Sequence, residues 1–178
     1  MKNIDFRTDI LPLKNELYRL ALRITLNPAE AEDVVQETML KVWNRRNSWN
    51  ELESIEAFCL TICRNQALDK TRKAGRRADS IGEEHQDDDY GSSLEIADAR
   101  ANPEEQAVQR DKVRLVRRLI DQLPEKQRAC MQLRDIEGKP YKEIAEVLGI
   151  TEQQVKTNIF RARQTIKQKY IETERYGL

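Results

Sequence analysis

Residues 141–164 read YKEIAEVLGITEQQVKTNIFRARQ, and this stretch decides the fold. Ile144, Ala145 and Leu148 recur at helical spacing, which predicts a short amphipathic helix. Gly149 can take the left-handed conformation that a tight inter-helix turn needs, and Ile150 can pack beneath that turn. Thr151 followed by Gln154 is a capping box that opens a second helix. At about 100° per residue, Val155, Ile159, Ala162 and Ile166 share one stripe of that helix. Its opposite face carries Gln153, Thr157, Phe160, Arg161 and Gln164, with Gln154 beside them and Lys156 and Arg163 on the flanks. This is a helix-turn-helix layout over about 141–168, whose second helix enters the major groove of DNA. Glutamine reads adenine edges, arginine reads guanine or grips phosphate, and an aromatic ring can meet a thymine methyl. Phe160 also has the plainer reading of a core aromatic.

Working outward, the neighbouring segments are helical as well. Ala129, Leu133 and Ile136 share a helix that stops at Gly138. Before it, Asn102-Pro103-Glu104-Glu105 is a helix start, followed by Val108, Leu115, Leu119 and Leu123 and ended by Pro124. The same Asn-Pro-x-Glu signal occurs earlier, with Asn27 as N-cap, Pro28 and Glu30. That earlier helix has an apolar face of Ala31, Val34, Val35, Thr38, Met39, Val42 and Trp43. Leu13, Leu17, Leu20, Ala21 and Ile24 form another stripe ahead of it. After a polar break, a helix from about Ser54 to Lys73 turns Phe58, Ile62 and Leu68 inward, with Gly75 as its stop. No strand pattern stands out. The expected fold class is all-α, in two small helical domains at 1–78 and 104–178 joined by an acidic linker at 79–103.

Charge supports that division. The 31 basic and 31 acidic residues cancel overall, yet residues 1–78 carry +3, residues 79–109 carry −9 and residues 110–178 carry +6. The acidic segment holds Asp87-Asp88-Asp89 and scattered apolar residues, which reads as a flexible linker. The flanking basic modules attract polyanions, because neutralised phosphates release condensed counterions. No apolar run approaches the length of a membrane span, and no signal peptide is evident, so the expected location is cytoplasmic. Catalysis is not expected: the phosphate-loop, zinc-protease and nucleophile-elbow motifs are missing, and His85, the one histidine, lies in the acidic segment. Cys59, Cys63 and Cys130 read as buried small hydrophobes, so no metal or other cofactor is expected.

Taken in order, these segments resemble the extracytoplasmic-function (ECF) group of the bacterial RNA polymerase sigma-70 family. Ala31 to Trp43 (AEDVVQETMLKVW) is similar to the family's region 2.2, with Met39 where the family usually has Phe. Phe58 to Arg72 (FCLTICRNQALDKTR) resembles regions 2.3 and 2.4. Leu123 to Arg128 (LPEKQR) and the helix-turn-helix through Arg163 resemble region 4.

The resemblance implies a role for each module. Asp33, Gln36, Glu37 and Lys41 would dock on the β′ clamp helices of core polymerase, and region 4 would meet the β flap. Trp49, Asn50 and Glu51 lie in the loop that matches the family's base-capturing loop. With Arg64, Asn65, Lys70, Arg72 and Lys73 they would hold the melted −10 strand. Trp49 could equally anchor the core. Gln153, Gln154, Lys156, Thr157, Phe160, Arg161, Arg163 and Gln164 would read the −35 duplex. The implied partners are core RNA polymerase, promoter DNA and an anti-sigma factor, often membrane-anchored, with neither membrane insertion nor a homo-oligomer required. The linker would thread the polymerase channels as a mimic of RNA, or simply space the modules. The competing reading is a stand-alone helix-turn-helix regulator.

Overall fold

The computed structural model describes residues 3–78 and 102–177. Every regular element among them is helical. The N-terminal module holds α1 (Lys14–Thr25), α2 (Pro28–Asn44) and α3 (Ile55–Ala78). The C-terminal module holds α4 (Pro103–Asp121), α5 (Glu125–Met131), α6 (Tyr141–Leu148) and α7 (Glu152–Tyr176). The expected linker, with Asp87, Asp88, Asp89 and His85, lies outside the described residues.

The helix starts follow from the sequence. The Asn27 side chain accepts from the Glu30 N–H at 3.2 Å, and Asn102 accepts from that of Glu105 at 3.0 Å. Each N-cap thereby satisfies one of the backbone donors left over at a helix start. At α7 the capping box is complete: Gln154 N–H donates to Thr151 Oγ1 at 3.1 Å, and Thr151 N–H donates to Gln154 Oε1 at 2.9 Å. Gly149 closes α6 at φ 64°, the left-handed conformation the turn requires. Leu26 takes the same conformation at the end of α1, an uncommon one for a residue with a side chain.

Two expectations, Gly75 and Trp43, need correction. Gly75 does not stop α3, which runs on to Ala78; it has no positive φ, so nothing in its backbone forces a turn. On α3, Phe58, Ile62 and Leu68 pack half-buried against the core as expected, and Ala57, Cys59, Leu60, Cys63 and Ala67 are the fully buried residues between them. Trp43 is 45% exposed, because α2 ends one residue later and Val42 takes the inward position.

One buried cluster joins the two modules. It contains Leu17, Leu20 and Ile24 of α1, Val34 and Val42 of α2 and Leu60 and Cys63 of α3. It continues through Cys130, Leu133 and Ile144 to Val155 and Ile159 of α7. Cys59, Cys63 and Cys130 are buried and free, and burial pushes each thiol up to about 12. Cys63 Sγ donates to the Leu17 carbonyl at 3.3 Å. The cysteines therefore belong to the core as small hydrophobes.

Candidate nucleic-acid and protein interfaces

Three faces emerge from this frame. The first is the outer side of α7. Val155, Ile159 and Ala162 are buried, and Ile166 is half-buried, so the inner stripe is occupied by core. Gln153, Lys156, Phe160, Arg161 and Gln164 are exposed on the other side, and Thr157 is half-buried there. Phe160 is 62% exposed, so it is not a core aromatic. Its ring stands in water among the polar groups of this face. Two of the expected contacts are already engaged. Arg163 is held by Asp135, its Nε donating to Oδ2 at 3.0 Å and its Nη2 to Oδ1. Gln154 spends its amide oxygen in the capping box. Lys156 lies 5.6 Å from the Tyr141 ring centre, which Arg134 also covers at 4.4 Å.

The second face runs along α2 and α3. Asp33, Gln36 and Lys41 are exposed and Glu37 half-exposed on the outer side of α2. Lys70, expected on the −10 strand, instead stands with them. Its Nζ lies 3.1 Å from Glu37 Oε1 and 4.0 Å from Asp33 Oδ2. With its amide oriented to satisfy both ends, Gln66 donates to Glu37 Oε2 at 2.9 Å and accepts from Lys41. Sequence reasoning missed Gln66, although its i, i+4 spacing to Lys70 puts both on one helix face. It also missed Leu40, which is 64% exposed beside Gln36 and Lys41. A network of alternating charge around an exposed leucine suits a protein partner with a polar rim and an apolar centre.

The third face surrounds the loop between α2 and α3. Trp49 is 6% exposed and donates its indole N–H to the Val42 carbonyl at 3.0 Å. Its ring is thus an anchor that fixes the loop, with no open face for a base. The exposed aromatic is Trp43, edge-on to Phe6 at 5.4 Å and to Trp49 at 6.2 Å. Arg46 places its guanidinium 5.0 Å from the Trp43 ring centre and donates to the Trp43 carbonyl at 3.2 Å. With the exposed Asn50, these groups line a shallow open hollow. On α3, Asn65 is exposed and accepts from Arg64 Nη1 at 3.2 Å. Arg72 and Lys73 are exposed further along, with Arg72 3.8 Å from Asp69. The structure brings Trp43, Arg46 and Asn50 together and leaves Arg72 and Lys73 two to three turns along α3 from Arg64 and Asn65.

Among the described residues no group of three or more His, Cys, Asp or Glu could hold a metal ion. No helix among them is long and apolar enough to cross a membrane.

Known proteins share this architecture. Residues 10–77 match the family model for Sigma-70 region 2, and residues 114–166 match that for Sigma-70, region 4. The chain is 31% identical over 157 residues to the ECF RNA polymerase sigma factor SigE of Mycolicibacterium smegmatis, covering 86% of this chain and 56% of that one. It therefore spans little more than half the length of that relative. It is also 31% identical over 140 residues to the ECF RNA polymerase sigma-E factor of Haemophilus influenzae, covering 77% and 72%. Among solved structures, it is similar to the sigma factor RpoE in complex with the anti-sigma factor NepR from Bartonella quintana. That match has a TM-score of 0.69 and 25% identity, over 92% of this chain and 95% of that one.

Proposed function

The chain belongs to the ECF group of the sigma-70 family, and from that premise we propose that it binds core RNA polymerase and directs promoter-specific initiation. It is not an enzyme; phosphoryl transfer belongs to the polymerase it joins. The observation that carries this reading is the division of α7, with Val155, Ile159 and Ala162 buried and Gln153, Lys156, Phe160, Arg161 and Gln164 exposed. That outer face reads the −35 element as duplex in the major groove. Thr157 contributes at its edge. Arg163 and Gln154 support it indirectly, one by bracing α7 on Asp135 and the other by capping the helix.

The α2 face of Asp33, Gln36, Glu37 and Lys41 binds the polymerase clamp, with Lys70 and Gln66 holding its acidic groups in place. The −10 strand is held, once melted, by Asn50, Arg64, Asn65, Arg72 and Lys73, with Trp43 and Arg46 as the exposed stacking and phosphate-gripping pair. Trp49 keeps that loop in register. An anti-sigma factor is the expected negative partner, supported by the likeness to a sigma factor captured with one.

Footprinting of the polymerase–protein complex on a promoter found by selection tests the two-element reading. Two protected patches are expected, and Arg161→Ala should lose the upstream one first. A single protected patch unaffected by Arg161→Ala would overturn it.

A further inference from the structure

We infer that Asp135 sets the stringency with which α7 reads duplex DNA, by holding Arg163 back from the phosphates that any sequence offers. This rests on the −35 reading proposed above.

The clasp is two-pronged. Arg163 Nε donates to Asp135 Oδ2 at 3.0 Å, and Nη2 donates to Oδ1. One whole edge of the guanidinium is thereby spent on a carboxylate whose shape it matches, the same edge that would fit a phosphate. The pair is not enclosed. The Arg163 side chain is 53% exposed and that of Asp135 29%, so no buried charge has to be offset. What the clasp fixes is where the Arg163 charge points.

Asp135 is firmly placed for this. It sits on the helical turn Gln132–Ile136, whose Gln132 and Leu133 are buried. The turn is tied to the start of α6 through Arg134. Its Nη1 donates to the Lys139 carbonyl at 2.9 Å, and its guanidinium lies 4.4 Å from the Tyr141 ring centre. Lys156 of α7 meets that same ring at 5.6 Å. Lys156 and Arg163 are about two turns of helix apart, so they share one flank of α7. The two cations of that flank are held differently. The ring carries no net charge and leaves that of Lys156 uncancelled, whereas Asp135 cancels that of Arg163.

The consequence follows from what each kind of contact does. Contacts to base edges separate one sequence from another, while a cation on a phosphate adds affinity to every sequence. A freed Arg163 would supply one such contact in any register, right or wrong. In the matched register its release also loosens α7 from the turn that braces it, so the base contacts gain nothing. Asp135 thereby favours discrimination over raw affinity. Arg163 in turn neutralises a carboxylate that would otherwise repel the DNA backbone.

Titrations of the full chain, alone and with core polymerase, against a duplex selected for binding and a scrambled duplex test this. Asp135→Asn should bind the scrambled duplex more tightly than the wild type, with a log–log salt slope steeper by about one. Lowering the salt from about 200 to about 50 mM should therefore widen that advantage about threefold. Its preference for the selected duplex should fall severalfold. Asp135→Glu, which keeps the carboxylate, should restore most of that preference. Circular dichroism and melting confirm that each variant stays folded. Adding Arg163→Ala to Asp135→Asn should remove the steeper slope. An equal gain from Asp135→Asn in the Arg163→Ala background would mean only the loss of an acidic charge and would overturn the inference. An unchanged slope and preference in Asp135→Asn would overturn it too. A wild-type chain that drives no transcription, yet shows this joint dependence on Asp135 and Arg163, would overturn the initiation reading and support the inference.

Discussion

Arg161 and Arg163 stand two residues apart on one helix and play different parts. Arg163 is clasped by Asp135, whereas Arg161 is exposed on the outer face. Arg161→Ala should therefore cost about 1–3 kcal/mol of −35 affinity if it contacts a base. Thermal stability should hardly change. Arg163→Ala should show the reverse balance, with a measurable loss of melting temperature and a smaller loss of affinity. Titration of a −35 duplex alongside calorimetric melting separates the two. Trp49 makes the opposite point: its residue type suggests stacking on a base, yet it is buried with its N–H donated. Trp49→Ala should destabilise the chain by about 3–5 kcal/mol in urea unfolding. The sequence showed an aromatic at the loop but could not say which of Trp43 and Trp49 faces water. That depends on where α2 ends, and helix ends are set by local competition that periodicity does not report.

The elements themselves were mostly legible. Asn27, Asn102 and Thr151 cap the helices they were expected to cap, and Gly149 turns where a left-handed residue is needed. Gly149→Ala should cost about 1–2 kcal/mol by placing a side chain at positive φ. Gly75 was misread because glycine is both a helix stop and a tolerated interior residue. A Cβ there meets nothing within 4 Å. Gly75→Ala should therefore stabilise α3 by about 0.5–1 kcal/mol, visible as a higher melting temperature. On α3, Phe58, Ile62 and Leu68 pack against the core as their spacing indicates, while the fully buried Cys59, Cys63 and Ala67 were less legible because they are smaller and less hydrophobic. Close approach of α1 and α2 to α3 favours the smaller residues at the contact.

At the scale of the whole molecule, the modules were readable and their contact was not. Arg19, Glu137 and Lys139 look like ordinary solvent-facing charges, since no periodicity links partners 118 residues apart. The contact between the modules has a predictable response to pH. Burial pushes the carboxyl of Glu16 above its ordinary value of 4.5, against the opposing pull of Lys139 and helped by Glu56 and Glu137. Burial likewise raises Glu143, with Lys139 lowering it and Glu56 and Glu146 raising it. A carboxyl raised in the folded chain binds its proton more tightly there than in the unfolded, solvated chain. The folded chain therefore gains on the unfolded one from these two groups as pH falls through the raised values toward 4.5. Glu143→Gln should therefore raise the melting temperature more at neutral than at mildly acid pH; an equal effect at both would contradict this assignment.

The central claim is tested most directly by in vitro transcription of a genomic promoter library with core polymerase, with and without this protein. The account predicts discrete start sites that depend on the protein and share two spaced upstream motifs, lost together with Glu37→Lys and selectively with Arg161→Ala. No protein-dependent transcripts, with no binding to core polymerase, would contradict it.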